Sequence, residues 1–195
     1  MNNRFAEVKR ATKETTVSCR LTLDGTGKSK VDTGVGFLDH MIATLAAHAQ
    51  FDLELECKGD LRIDDHHTTE DCALVVGQAL DQALGERKGV ARFGWAYAPM
   101  DESLARAVVD LSGRPFHAID LKLQRDFVGE LSSEMLSHFL ASLATAARLT
   151  LHVDVLRGSN DHHRAEAAYK ATALALKAAA ALTGTGAVPS TKGVL

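Results

Sequence analysis

The chain has 195 residues, 46% hydrophobic and 24% charged, enough apolar content for one large domain or two fused small ones. Its net charge of −3, with acids and bases interspersed, excludes the extended basic footprint of a nucleic-acid binder. The opening MNNRFAEVKRATKETT has no apolar run of the kind a secretory signal needs, and the stretch from Ala171 to Leu182, broken by Lys177, is too short to span a bilayer. Cys19, Cys57 and Cys72 are odd in number and lack zinc-type spacing, so they read as small packing groups in a reducing compartment. A cytoplasmic protein with neither nucleic-acid nor membrane partner is expected.

In chain order, residues 15–23 form a strand-length β-branched and apolar run that ends at Asp24-Gly25. A short strand follows at 29–32. Residues 40–49 have helical spacing and alanine content, and 51–56 alternate apolar and polar as a half-buried strand does. A second helix begins just after Asp64-Asp65 and runs to Gly85. The same grammar then repeats. Strands are predicted at 104–111 (ending at Ser112-Gly113), 116–123 and 149–155, and helices at 138–148 and from just after Asn160-Asp161 to Thr183-Gly184.

The repetition extends to single residues. His40 and His138 stand as far apart as Leu45 and Leu143, or Leu53 and Leu151. Asp64-Asp-His66-His67-Thr-Thr-Glu70 answers Asn160-Asp-His162-His163-Arg-Ala-Glu166, with two extra residues ahead of it in the first copy. An offset held over several elements marks an internal duplication. The fold class is α+β: two homologous sheet-and-helix halves, 1–90 and 91–195, packed as a two-layer sandwich.

Six of the nine histidines fall in these two constellations. Neighbours on a helix point about 100° apart, so His66 and His67 cannot readily chelate one ion, while Glu70 shares a face with one of them. His162, His163 and Glu166 repeat the case. His40, His66, His67, His138, His162 and His163, with Glu70 and Glu166, divide into two sites of three imidazoles and one carboxylate. Each would leave two positions open on an octahedral ion. Such donors favour manganese, iron or zinc over calcium or magnesium. Asp65 and Asp161 are placed to orient imidazoles as hydrogen-bond acceptors. His48, His117 and His152 stand outside the pattern. A single His-His-x-x-Glu would carry little weight; its recurrence with an upstream histidine carries much more.

The chain resembles the imidazoleglycerol-phosphate dehydratases over nearly its whole length. The resemblance lies in Arg10-Ala-Thr-Lys-Glu14-Thr, Leu23-Asp-Gly-Thr-Gly27, Thr33-Gly-Val-Gly-Phe-Leu-Asp-His40-Met, the two His-His motifs with Asp71 and Lys170, Ser112-Gly-Arg-Pro115 and Pro189-Ser-Thr-Lys-Gly193. It implies dehydration of imidazoleglycerol phosphate to imidazole acetol phosphate in histidine biosynthesis, through a metal-bound imidazolate and a diazafulvene-like intermediate. It further implies two transition-metal ions per subunit, manganese first among the candidates. Glu14 takes the acid/base role, although on residues alone it reads as an exposed carboxylate at a strand start. Arg92, Arg114, Lys170, Ser190 and Lys192 take the substrate phosphate. Only Lys170 has independent support, four residues after Glu166 on the same helix. The resemblance also implies a 24-subunit homo-oligomer of trimers with metals bound between subunits. Two rivals are another di-metal enzyme, such as a phosphoester hydrolase, and a ferritin-type storage assembly, against which the strands and glycine turns argue.

Overall fold

The structure, a computed structural model, describes residues 4–188 and 190. The first half runs β1 (Phe5–Ala11), β2 (Thr15–Thr22), β3 (Ser29–Asp32), α1 (Gly36–Ala49), β4 (Asp52–Gly59) and α2 (His66–Leu84). The second runs β5 (Phe93–Met100), β6 (Ser103–Asp110), β7 (Phe116–Asp120), a small hairpin β8 (Phe127–Val128) and β9 (Leu131–Ser132), α3 (Ser133–Ala146), β10 (Thr150–Arg157) and α4 (Asp161–Ala180). The larger sheets have strand orders β1-β2-β4-β3 and β5-β6-β10-β7, one topology used twice. In each, only the last pair is parallel, β3 with β4 and β7 with β10.

Alternation sets the inner faces. Val17, Cys19 and Leu21 of β2 are buried, as are Ala105, Ala107 and Val109 of β6. Helix α2 packs on β1 and β2, and α4 on β5 and β6, while α1 lies against α4 and α2 against α3. The two sheet-and-helix halves therefore meet through their helices, and both sheets lie outermost. Helix α4 is buried along most of its length, which its alanines permit, because a small side chain lets backbones approach closely.

Besides the two-residue strands of the β8–β9 hairpin, two strands escaped the sequence reading, and both are sheet edges. β1 carries charge at alternate positions and buries only Ala6 and Val8. β5 inverts the usual pattern: Phe93, Trp95 and Tyr97 point outward, exposed, while Gly94 and Ala98 face α4 and are buried. Its small residues admit the helix. A β-carbon added at Gly94 would collide with the Ala175 carbonyl and lie 2.6 Å from the Ala179 nitrogen. Gly94→Ala should therefore cost about 3 kcal/mol, the upper end for overpacking, read from the denaturant midpoint. Wild-type stability in that variant would mean that α4 and β5 can part freely.

Candidate metal centre

Both His-His motifs open a helix. Asp64 accepts from the His66 backbone N–H and Asn160 from that of His162, each at 2.9 Å, so a side chain two residues upstream fixes the first imidazole's backbone. From there Glu70 and Glu166 follow one turn later. His66 and Glu70 meet His138 of α3, with His138 Nε2 3.1 Å from Glu70 Oε1 and the two imidazole centroids 4.9 Å apart. His162 and Glu166 meet His40 of α1, with Nε2 of His162 and His40 at 3.2 and 3.4 Å from Glu166 Oε2. In each trio the donor atoms lie within 4.8 Å of one another, close enough to serve one ion. Because α1 packs on α4 and α2 on α3, each trio draws ligands from both halves.

The structure thus gathers six of the eight predicted ligands within one chain, as two imidazoles and a carboxylate at each centre rather than three imidazoles and a carboxylate. His67 and His163 lie outside both trios. Their rings stand at 87° and 86° to those of His66 and His162, as the helical rotation requires. His67 turns to Asp60, whose carboxylate oxygens both lie 3.2 Å from Nδ1. His163 turns to Glu102, with Nδ1 2.7 Å from Oε2. Those bonds, first of all, hold both imidazoles above the usual histidine range. Glu102 is held below the usual carboxylate range by His163, then by the backbone N–H groups of Ser159 and Asn160.

Asp65 and Asp161 do not orient imidazoles, contrary to expectation. Asp65 accepts from the backbone N–H and the hydroxyl of Ser132, tying the start of α2 to the start of α3. Asp161 accepts from the backbone N–H groups of Gln124 and Arg125 and pairs with Arg164. These carboxylates thus turn to segments distant in sequence, Ser132 of β9 and the loop between β7 and β8. Asp60 and Glu102 hold the imidazoles instead, and sequence reasoning missed both. One signal was available: Glu102 immediately precedes β6 as Glu14 immediately precedes β2.

Glu14 lies exposed on the β1–β2 turn, its Oε1 3.8 Å from His67 Nε2. Lys170 Nζ is 2.7 Å from Glu166 Oε1. Burial pushes the Glu166 carboxyl up, but Lys170 and then His40 outweigh it, and the group ends below its usual range. The predicted phosphate set is not brought together within one chain. Lys170 contacts Met100, the last residue of β5, at 3.3 Å, whereas Arg92 precedes the first and grips Asp110 at 2.7 Å. Along a strand of that length the two ends are more than about 20 Å apart. Arg114 is exposed beyond β6, Ser190 is half-buried with its N–H bonded to Val188, and Lys192 lies outside the described residues.

A doubled α+β scaffold carrying two mixed imidazole–carboxylate clusters defines the class, a protein with two candidate metal-binding centres. Among the described residues, no helix is long and apolar enough to cross a membrane. The imidazoleglycerol-phosphate dehydratase family model matches residues 33–176. An imidazoleglycerol-phosphate dehydratase of Phytophthora nicotianae is 64% identical over 98% of this chain, which spans 42% of that longer protein. One of Eremothecium gossypii is 55% identical, with 97% of each chain covered. The crystal structure of the Staphylococcus aureus subsp. aureus N315 dehydratase matches with a TM-score of 0.83 and 38% identity, over 92% of this chain and 99% of that one. That of the Pyrococcus furiosus protein, in complex with (S)-C348, also gives 0.83, at 35% identity over 96% and 100%. The chain belongs to the imidazoleglycerol-phosphate dehydratase family, whose named members are hydro-lyases.

Proposed function

We propose that this chain removes water from imidazoleglycerol phosphate to give imidazole acetol phosphate, in cytoplasmic histidine biosynthesis, with two ions bound per chain, manganese first among the candidates. The observation that carries the reading is the pair of composite trios, His66–Glu70–His138 and His40–His162–Glu166. The donor chemistry fits a transition metal: nitrogen-rich, one carboxylate, no thiolate. Ions held there would favour the imidazolate form of the substrate ring, and electrons from that imidazolate could then expel the adjacent hydroxyl as water by the diazafulvene-like route. Glu14, exposed and beside His67, takes or returns the proton on the neighbouring carbon. We read the halves, 1–90 and 91–195, as copies of one unit.

Each trio leaves room for a further donor, and His67 and His163 of other copies would supply it. Self-association has a second support. The outer face of the second sheet exposes Phe93, Trp95 (69% exposed) and Tyr97 of β5 beside Val108 of β6, an apolar cluster of the kind that marks interaction sites. A 24-subunit shell is the assembly expected. Interfaces of that kind would also let Arg92 and Arg114 of one copy join Lys170 and the tail residues Ser190 and Lys192 of another around one phosphate, where guanidinium forks suit its oxygens. The direct test is incubation of manganese-loaded protein with imidazoleglycerol phosphate and detection of the keto product. No product, with both centres loaded, would overturn the reading.

Lys170 offers a sharper check because it is paired with Glu166. If it holds phosphate, Lys170→Ala should raise KM by roughly 10-fold or more, as loss of a charge-assisted hydrogen bond does. Inhibition by phosphate-bearing analogues should weaken in parallel, and inhibition by a bare triazole much less. Equal losses for both compounds would make Lys170 a support of Glu166 alone.

A further inference from the structure

A neutral imidazole has one N–H and one lone pair, and the partner of one nitrogen decides which is which. Glu102 Oε2 lies 2.7 Å from His163 Nδ1. A carboxylate only accepts, so it places the proton on Nδ1 and the lone pair on Nε2. The carboxylate is itself held. Its Oε1 accepts from the backbone N–H groups of Ser159 and Asn160 at 3.0 and 2.9 Å, and from the hydroxyls of Ser103 and Ser159 at 3.1 and 3.3 Å. Those bonds pin it to the loop that launches α4. On the other side, Asp60 faces His67 Nδ1 with both oxygens, and among the described residues its carboxylate hydrogen-bonds nothing else.

We propose that Glu102 and Asp60 are positioning residues that fix the tautomers of His163 and His67, leaving Nε2 of each imidazole free to donate to a metal ion. This rests on reading both histidines as ligands completed by a second copy of the chain. It also accounts for the unequal fates of Glu14 and Glu102, which hold the same place ahead of β2 and β6. In the second half that glutamate grips Nδ1 of its histidine. In the first half Asp60 has taken the Nδ1 side, and Glu14 stands toward Nε2, 3.8 Å away, free for proton transfer. Imidazole positioning and proton transfer are thereby divided between two carboxylates that began in equivalent positions.

The test is metal binding, read by equilibrium dialysis with manganese and by the absorption spectrum of cobalt-loaded protein. In Glu102→Gln the amide oxygen should stay with the loop, because two backbone N–H groups outvote one imidazole. The amide NH2 then faces Nδ1, the proton shifts to Nε2, and the lone pair points away from the metal. One of the two ions per chain should bind about 10- to 100-fold more weakly, with an altered cobalt band. The circular dichroism and melting of metal-free protein should stay as in wild type. Asp60→Asn should lose less, since nothing stops its carbonyl from turning to Nδ1. Wild-type binding of both ions in Glu102→Gln, with His163→Ala losing one, would overturn the proposal and leave the ligand assignment standing. Retention of both ions in His163→Ala as well would overturn both. Equal weakening at both centres with a lowered metal-free melting temperature would reduce Glu102 to a loop anchor, which also overturns it.

Discussion

Glu14→Gln should lower turnover by at least about 10²-fold, the lower end of what a general acid–base group contributes. The substitution keeps shape and most hydrogen bonding but cannot carry a proton. Glu14 is exposed on a turn, so nothing in the core depends on its charge. Metal content, assembly and binding of a stable substrate analogue should therefore remain close to wild type. That combination marks an interaction needed in the transition state rather than the ground state. Its counterpart ahead of β6 supplies a contrast. Glu102→Gln should act through metal affinity, so saturating manganese should restore much of its turnover and none of that of Glu14→Gln. Normal turnover by Glu14→Gln would remove it from the chemistry.

The second large effect concerns chelation. Each centre offers three donors from one chain, and His67 and His163 lie outside both. If copies exchange these histidines, an ion bound at the junction stabilises the assembly by mass action, and assembly in turn tightens the ion. Stripping the metal should abolish activity and, by analytical ultracentrifugation, shift the protein from a large particle toward smaller species. Restoring manganese should recover both together. A full-sized particle that persists without metal would mean that other surfaces, such as the aromatic face of the second sheet, carry the assembly alone.

Much of this was legible in the chain. The alternation of β2, β4, β6 and β10 and the spacing of the helices reported the two-fold grammar, because those elements bury one face against a common core. β1 and β5 were silent for opposite reasons: one is charged at its edge, and the other puts its aromatics outside and its small residues inside. The candidate donors were legible as residues, though three imidazoles were expected at each centre and two gather within one chain, and the divergence of each histidine pair follows from helical rotation. The partition was not legible. Whether His138 joins His66 or His162 depends on which helices cross, and spacing along the chain says nothing of that. Asp65 and Asp161, adjacent to the histidines in sequence, have other partners. Asp60 comes from the loop after β4 and Glu102 from a turn between strands, places that only the folded backbone brings near.

The mixed origin of each centre bears on how such a protein could have arisen. In one half alone, the helix bearing the upstream histidine and the helix bearing the His-His motif do not share a centre: His40 goes to α4, and α2 goes to His138. An ancestor of half this length could have closed a metal centre only by pairing with its own twin about a two-fold axis, α1 of each against the second helix of the other. Joining two such genes would have turned a homodimer's identical sites into neighbours free to drift. On that view the chain would be a tethered dimer, and its two candidate centres would be paralogues of each other.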